Sequence, residues 1–122
     1  MKIGDWWLAK QDALINETVE WSFFANRSQS ANRAVGGKLF VTNKRLLFSP
    51  HYFDYILNGK IWQTELRNVR QIGVLKKGGD VFGGGLRDRL RIDLRDGQTE
   101  LFVVNNLTKI VERLRSTIIE KE

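Results

Sequence analysis

The residue types that commonly carry catalysis are scarce in this sequence. Cysteine is absent and His51 is the only histidine, which excludes disulfides, thiolate nucleophiles and paired-histidine metal sites. His51 alone has an ordinary pKa near neutrality. It follows Pro50 in an aromatic run, where a partly buried loop histidine is the simpler reading. Asp96 precedes Gly97 and reads as a turn residue rather than a partner for Asp93. Asp88 and Asp93 fall on opposite faces of a strand, so no acid–base pair forms. The run Gly78 to Gly85 (GGDVFGGG) lacks the Gly-Lys-Ser/Thr ending of a nucleotide phosphate loop. The expectation is a protein that is not an enzyme, with no catalytic residue, no metal and no cofactor.

Charge is more informative. Twenty Lys and Arg against fourteen Asp and Glu give a net charge of +6. Most of the excess falls within 67–95, where Asp80, Asp88 and Asp93 are the only acids. Lys76, Lys77, Arg87, Arg89, Arg91 and Arg95 make a candidate surface for an anionic headgroup or an acidic partner. Val81 and Phe82 form an apolar tip in the glycine-rich stretch, a candidate for membrane insertion. Each flanking base near an anionic surface would add about 1 kcal/mol, while Asp80 beside the tip opposes it. The plainer alternative is a flexible hairpin loop beside a solvated basic face. Nucleic acid is disfavoured, because aromatic residues do not interleave with the arginines as a single-strand platform requires.

The elements that position these residues follow from hydrophobic period. Residues 5–15 suggest a short helix with Asp5 as N-cap. From Val19 the period becomes two, and Val19, Trp21, Phe23 and Ala25 mark a strand over 19–26. Residues 27–37 read as a polar loop. The stretch Gly-Lys-Leu-Phe-Val-Thr-Asn-Lys-Arg-Leu-Leu-Phe (37–48) reads as a hairpin with Asn43-Lys44 at its turn, Asn43 supplying a positive φ. That register pairs Val41 with Leu46 and Leu39 with Phe48 on the core face. It leaves Phe40 and Leu47 on the other face, where the amino-terminal tryptophans are candidate covers. Residues 50–59 are an aromatic connection and 60–65 a strand. Leu66, Val69 and Ile72 suit one helical turn leading into a strand over 70–75, and 76–88 reads as a loop. In 89–95, Leu90, Ile92 and Leu94 point inward and Arg89, Arg91, Asp93 and Arg95 outward. A hairpin at Asp96-Gly97 leads to a return strand over 99–104. Asn105 or Asn106 caps a final helix whose stripe is Leu107, Ile110, Val111, Leu114 and Ile118.

The hairpin sequence Gly37 to Phe48, the spaced aliphatic residues from Leu66 to Val74, and Asp96-Gly97 followed by Leu101-Phe102 resemble the GRAM domain of the pleckstrin-homology-like superfamily, in a prokaryotic single-domain form. The resemblance covers about 14–118. It implies a mainly β fold: a partly open antiparallel barrel of about seven strands capped by a carboxy-terminal helix. The whole of 1–122 is then one domain with a short helical extension over 1–15. It also implies a non-catalytic binding module, with peripheral association with anionic membrane lipid as the leading function. A protein-interaction or regulatory module without a lipid is the alternative, and non-specific nucleic-acid binding the third. The first strand carries Glu17 and Glu20 where phosphoinositide-binding members carry basic residues, a departure from that signature. No stretch approaches the roughly 20 apolar residues of a spanning helix. The expected location is cytoplasmic, at a membrane periphery, with the oligomeric state open.

Overall fold

The hairpin at Thr42-Asn43 is the element on which the sheet is built. In the computed structural model, which describes residues 2–30, 33–76 and 87–121, β4 (Arg33–Thr42) and β5 (Arg45–Pro50) pair Val41 with Leu46, Phe40 with Leu47 and Leu39 with Phe48, the register expected from the sequence. β3 (Val19–Ser30) lies on the other side of β4, and β6 (Trp62–Glu65) beside β5. A 3₁₀ turn, Leu66–Asn68, leads into β7 (Val69–Leu75), followed by β8 (Arg89–Leu94) and β9 (Thr99–Val104). The antiparallel order is β6-β5-β4-β3-β9-β8-β7. The two edge strands, β6 and β7, are consecutive in the chain, so the sheet bends round towards its own edges as a partly open barrel. Helix α2 (Leu107–Lys121) packs on β7, β8 and the 3₁₀ turn. Its Arg115 donates to the Ile72 carbonyl of β7 at 2.9 Å. The stripe residues Val111, Leu114 and Ile118 join Leu39, Phe48, Ile92 and Phe102 in the main core.

The β4–β5 hairpin is buried on both faces. Phe40 and Leu47 form a second cluster with Ile3 and Leu8, and Trp7, Ala13 and Ile61 pack around it. The amino-terminal segment supplies this cover without the helix expected over 5–15. Instead β1 (Lys2–Ile3) pairs with β2 (Gln11–Asp12), Gly4 adopts a left-handed φ of 130°, and the Leu8 N–H closes a turn on the Asp5 carbonyl. The Ala9 N–H donates to Pro50 and the Tyr52 N–H to Trp7. Docking an apolar segment on a sheet outweighs the weak helix preference of so short a stretch. Of the two tryptophans, Trp7 contributes to the cover and Trp6 faces solvent.

Two further expectations are corrected. Residues 27–37 are not a loop, since β3 and β4 stay paired out to Ser30 and Arg33. Val35 is buried in the main core, Arg27 bridges to Glu100 on β9 at 2.8 Å, and Gly37 sits where a Cβ would collide with the Ser49 carbonyl. Polar residues on the outer face hid the strand. Asn43 also lacks a positive φ. The turn is instead held by the Thr42 hydroxyl, which accepts the N–H groups of Lys44 and Arg45 at 3.0 and 2.9 Å. The Asn43 side chain reaches back to residues 16–18, accepting the Thr18 N–H and donating to the Asn16 carbonyl.

That contact leads to Glu17, which precedes β3 and is only 4% exposed. Its carboxylate accepts from Arg45 Nε at 2.8 Å and Nη2 at 2.9 Å, from the Thr42 hydroxyl at 2.7 Å and from the Leu14 N–H at 2.9 Å. Burial pushes the carboxyl pKa up, but the Arg45, Leu14 and Thr42 bonds outweigh it and hold it below the ordinary value. Glu17→Gln leaves the buried Arg45 without its counter-charge and should cost about 3–5 kcal/mol in denaturant unfolding. In the wild type this contribution is fully present above the unfolded pKa of about 4.3 and declines as pH falls through the lowered native value. The variant should lose that part of the acid slope. An unchanged midpoint and slope would show that the pair does not hold the segment.

Candidate functional site

The structure divides the six expected cations. β8 runs along the barrel wall, so Arg89 and Arg95 are separated by about 20 Å at ~3.3 Å per residue. Arg95 lies at the far end, where its N–H and Nε bond the Asn68 and Arg67 carbonyls. Arg89, expected to face outward, is only 8% exposed and makes contacts within the protein. Leu90 and Ile92 do point into the core. Arg91 is half-buried, with Nε 2.9 Å from the buried Asp93 carboxylate, and Arg70 reaches the same group at 3.6 Å. Burial raises the Asp93 pKa, but bonds from Thr99 and Arg91 and the charge of Arg70 outweigh it, and the net shift is downward. The outer face of β8 is thus partly neutralised from within. Lys76 lies 3.8 Å from Asp88. Lys77, Val81 and Phe82 lie outside the described residues.

Arg87 belongs to the opposite end from Arg95. Its guanidinium donates to the Val104 carbonyl at 3.3 Å and to Asn105 Oδ1 at 3.4 Å. It forms one wall of a cleft of about 410 Å³, whose other side carries Trp7, Phe24, His51 and Asp54. The cleft joins Arg87 to α1 (Tyr52–Ile56), a helix within the stretch 50–59 expected to be an aromatic connection.

α1 is held firmly. His51 caps it, with Nδ1 accepting the Phe53 N–H at 3.1 Å, and its own N–H donates to the Gly36 carbonyl at 2.7 Å. The imidazole packs between Trp7 and Phe53 with ring centroids 5.6 and 5.7 Å away, the structural role expected of it. Asp54 turns inward, and Oδ2 accepts the Gly36 N–H at 3.2 Å. The Arg33 guanidinium donates to the Leu57 and Asp54 carbonyls. Gln29 donates to the Asn58 carbonyl and accepts the Lys60 N–H. Asn58 ends the segment at a left-handed φ of 71°. The helix has no apolar stripe facing the protein, and that is why periodicity did not reveal it. Tyr52, Phe53, Tyr55, Ile56 and Leu57 are all exposed.

No family model matches the chain, and no curated protein matches its sequence. Solved structures do. The C-terminal domain of an unknown protein from Leishmania infantum aligns with a TM-score of 0.64 at 15% identity, covering 86% of this chain and 87% of that one. The hSac2 domain from human phosphoinositide phosphatase Sac2 aligns with a TM-score of 0.60 at 16% identity, covering 86% and 72%. A third match, to the linker-DH/PH domains of p115-RhoGEF, has a TM-score of 0.56 at 8% identity and covers 88% of this chain but 30% of that one. The fold is pleckstrin-homology-like. At such identities the likeness concerns architecture, and ligands must be argued from the site. No helix among the described residues is long and apolar enough to cross a membrane.

This geometry separates structural cations of the pleckstrin-homology-like barrel from available ones. Arg89→Glu should destabilise the protein by about 2 kcal/mol or more, because it places an acid in a buried position shaped for a guanidinium. Lys60→Glu, at an exposed position, should stay within about 0.5 kcal/mol of wild type. Thermal or urea unfolding distinguishes the two. Equal stabilities would mean that Arg89 is a surface residue after all.

Proposed function

We propose that this chain is a non-catalytic, pleckstrin-homology-like binding module of the GRAM type that associates peripherally with an anionic membrane surface on the cytoplasmic side. The contact is the barrel end formed by α1, Arg33 and Arg87, rather than the outer face of β8. One observation carries this choice. Arg33 and Arg87 bond neutral acceptors and so keep their full charge, while Arg91 and Arg70 share the Asp93 carboxylate. Lys10 and Lys60 stand exposed at the same end, Lys10 beside Tyr52 and Tyr55 and Lys60 just after the helix. Lys76 leads β7 out of the sheet there as well, which makes Lys77, Val81 and Phe82 candidates for the same contact. The GRAM assignment is supported by the Thr42-Asn43-Lys44-Arg45 hairpin, where each side chain named in the resemblance has a structural task or a place in the turn.

Cations held near an anionic bilayer add about 1 kcal/mol each, and salt screens them within about 8–10 Å. Wild-type protein should therefore sediment with phosphatidylserine-containing vesicles at low salt and release as salt rises. Lys10→Glu with Lys60→Glu should weaken that binding by about tenfold or more. Arg67→Glu, at the far end of the barrel, should not. Wild-type protein that ignores anionic vesicles at low salt would overturn the membrane reading in favour of a protein partner.

A further inference from the structure

Helix α1 is inverted with respect to an ordinary surface helix. Its acid, Asp54, faces the protein, and its aromatic and aliphatic residues face water. Surface helices of folded proteins normally do the reverse. The exposed residues do not stand alone. Trp6 is 86% exposed and lines a depression with Tyr52 and Tyr55. Phe24, also exposed, stacks on Trp7 at 5.7 Å, and Trp7 continues through His51 to Phe53. Most of the exposed large apolar side chains among the described residues are gathered here, at one end of the barrel, while Leu14, Ile15, Val19, Val74 and Ile119 are scattered elsewhere. A contiguous patch of this kind marks a contact rather than chance exposure.

From this we infer that α1 and Trp6 form a preorganised insertion surface that enters the interfacial layer of an anionic bilayer. The inference rests on the membrane reading above and adds an apolar contact to an electrostatic one. Three observations select a bilayer over a protein groove. The patch is an exposed helix beside an almost fully exposed tryptophan, and the depression between them is lined by Trp6, Tyr52 and Tyr55 themselves, so the apolar side chains are open to a broad surface. Its composition of Trp, Tyr, Phe, Ile and Leu is that of side chains that settle at the headgroup level. Its surroundings are cationic, with Lys10, Arg33 and Lys60 beside it. Of the acids nearest in the chain, Asp5 is paired with Lys38 at 2.8 Å, and Asp54 keeps its charge but turns inward onto the Gly36 N–H. The bonds from Arg33 and Gln29 fix the helix before contact, so little ordering is left to oppose binding.

The test compares wild-type protein with Phe53→Ala/Ile56→Ala on vesicles of phosphatidylcholine with about 30% phosphatidylserine, at low salt and at about 0.5 M salt. Ile119→Ala on α2, where Ile119 is 71% exposed, is the control. The wild type should retain part of its binding at high salt, and brominated acyl chains should quench its tryptophan fluorescence. The double variant should bind about tenfold more weakly, lose the salt-resistant fraction and melt at the wild-type temperature. Ile119→Ala should behave as wild type. If the wild type binds and the double variant binds equally well, the insertion surface is wrong while electrostatic association stands. An equal loss in Ile119→Ala overturns the assignment to α1. A wild type that does not bind at low salt overturns both readings. A wild-type dimer that the double change makes monomeric, with no vesicle binding, assigns the face to a second copy of the chain and overturns the proposal.

Discussion

Burying Glu17 against Arg45, beneath the hydroxyl of Thr42, fixes where the amino-terminal segment runs, and the shape of the α1 end of the molecule follows from that placement. The carboxylate accepts four hydrogen bonds, and Arg45 also donates to the Asp12 carbonyl and to Gln63. Removing either charge strands the other in a region closed to water. The pair therefore acts as a latch that holds residues 2–18 across the outer face of β4 and β5. With the segment latched, Ile3 and Leu8 seal Phe40 and Leu47. Trp7 is then directed to His51, and Trp6 is left facing solvent beside α1.

The hairpin register, the order of the later strands and the stripe of α2 were legible because each rests on a short repeating pattern that one sequence can show. Leu39, Val41, Leu46 and Phe48 alternate, as do Leu90 and Ile92, and Leu107 to Ile118 recur at helical spacing. What was hidden depends on contacts between distant residues. The strand pairing over 27–37 is held by Val35 and the Arg27–Glu100 bridge, which a local composition of Ser, Gln and Asn does not reveal. The extended path of residues 5–15 is imposed by the sheet face it covers. Arg89 obeys the alternation rule in direction and breaks it in burial, since a position on the outer face need not be exposed.

The candidate site was legible only in its chemistry. Net positive charge and the resemblance to a pleckstrin-homology-like module both pointed to an anionic surface. The sequence placed that charge on one strand, where folding neutralises part of it on Asp93 and sends Arg95 to the far end. Arg87 keeps its place at the end proposed for the contact. The residues that were missed, on α1, carry no helical period because their apolar side chains turn away from the protein. An aromatic run beside the lone proline was the available signal, and it reads equally well as core. The comparisons establish the architecture, and the site's own polarity, with its charge kept and its aromatic residues outward, supports the membrane.

The most direct measurement of the central claim is amide hydrogen exchange of the full chain with and without anionic vesicles. Contact at the α1 end should slow exchange across residues 52–60 and 4–10 while leaving 67–70 and 95–98 unchanged. Protection confined to β8 and the 95–98 turn, with α1 exchanging as in free solution, would contradict it.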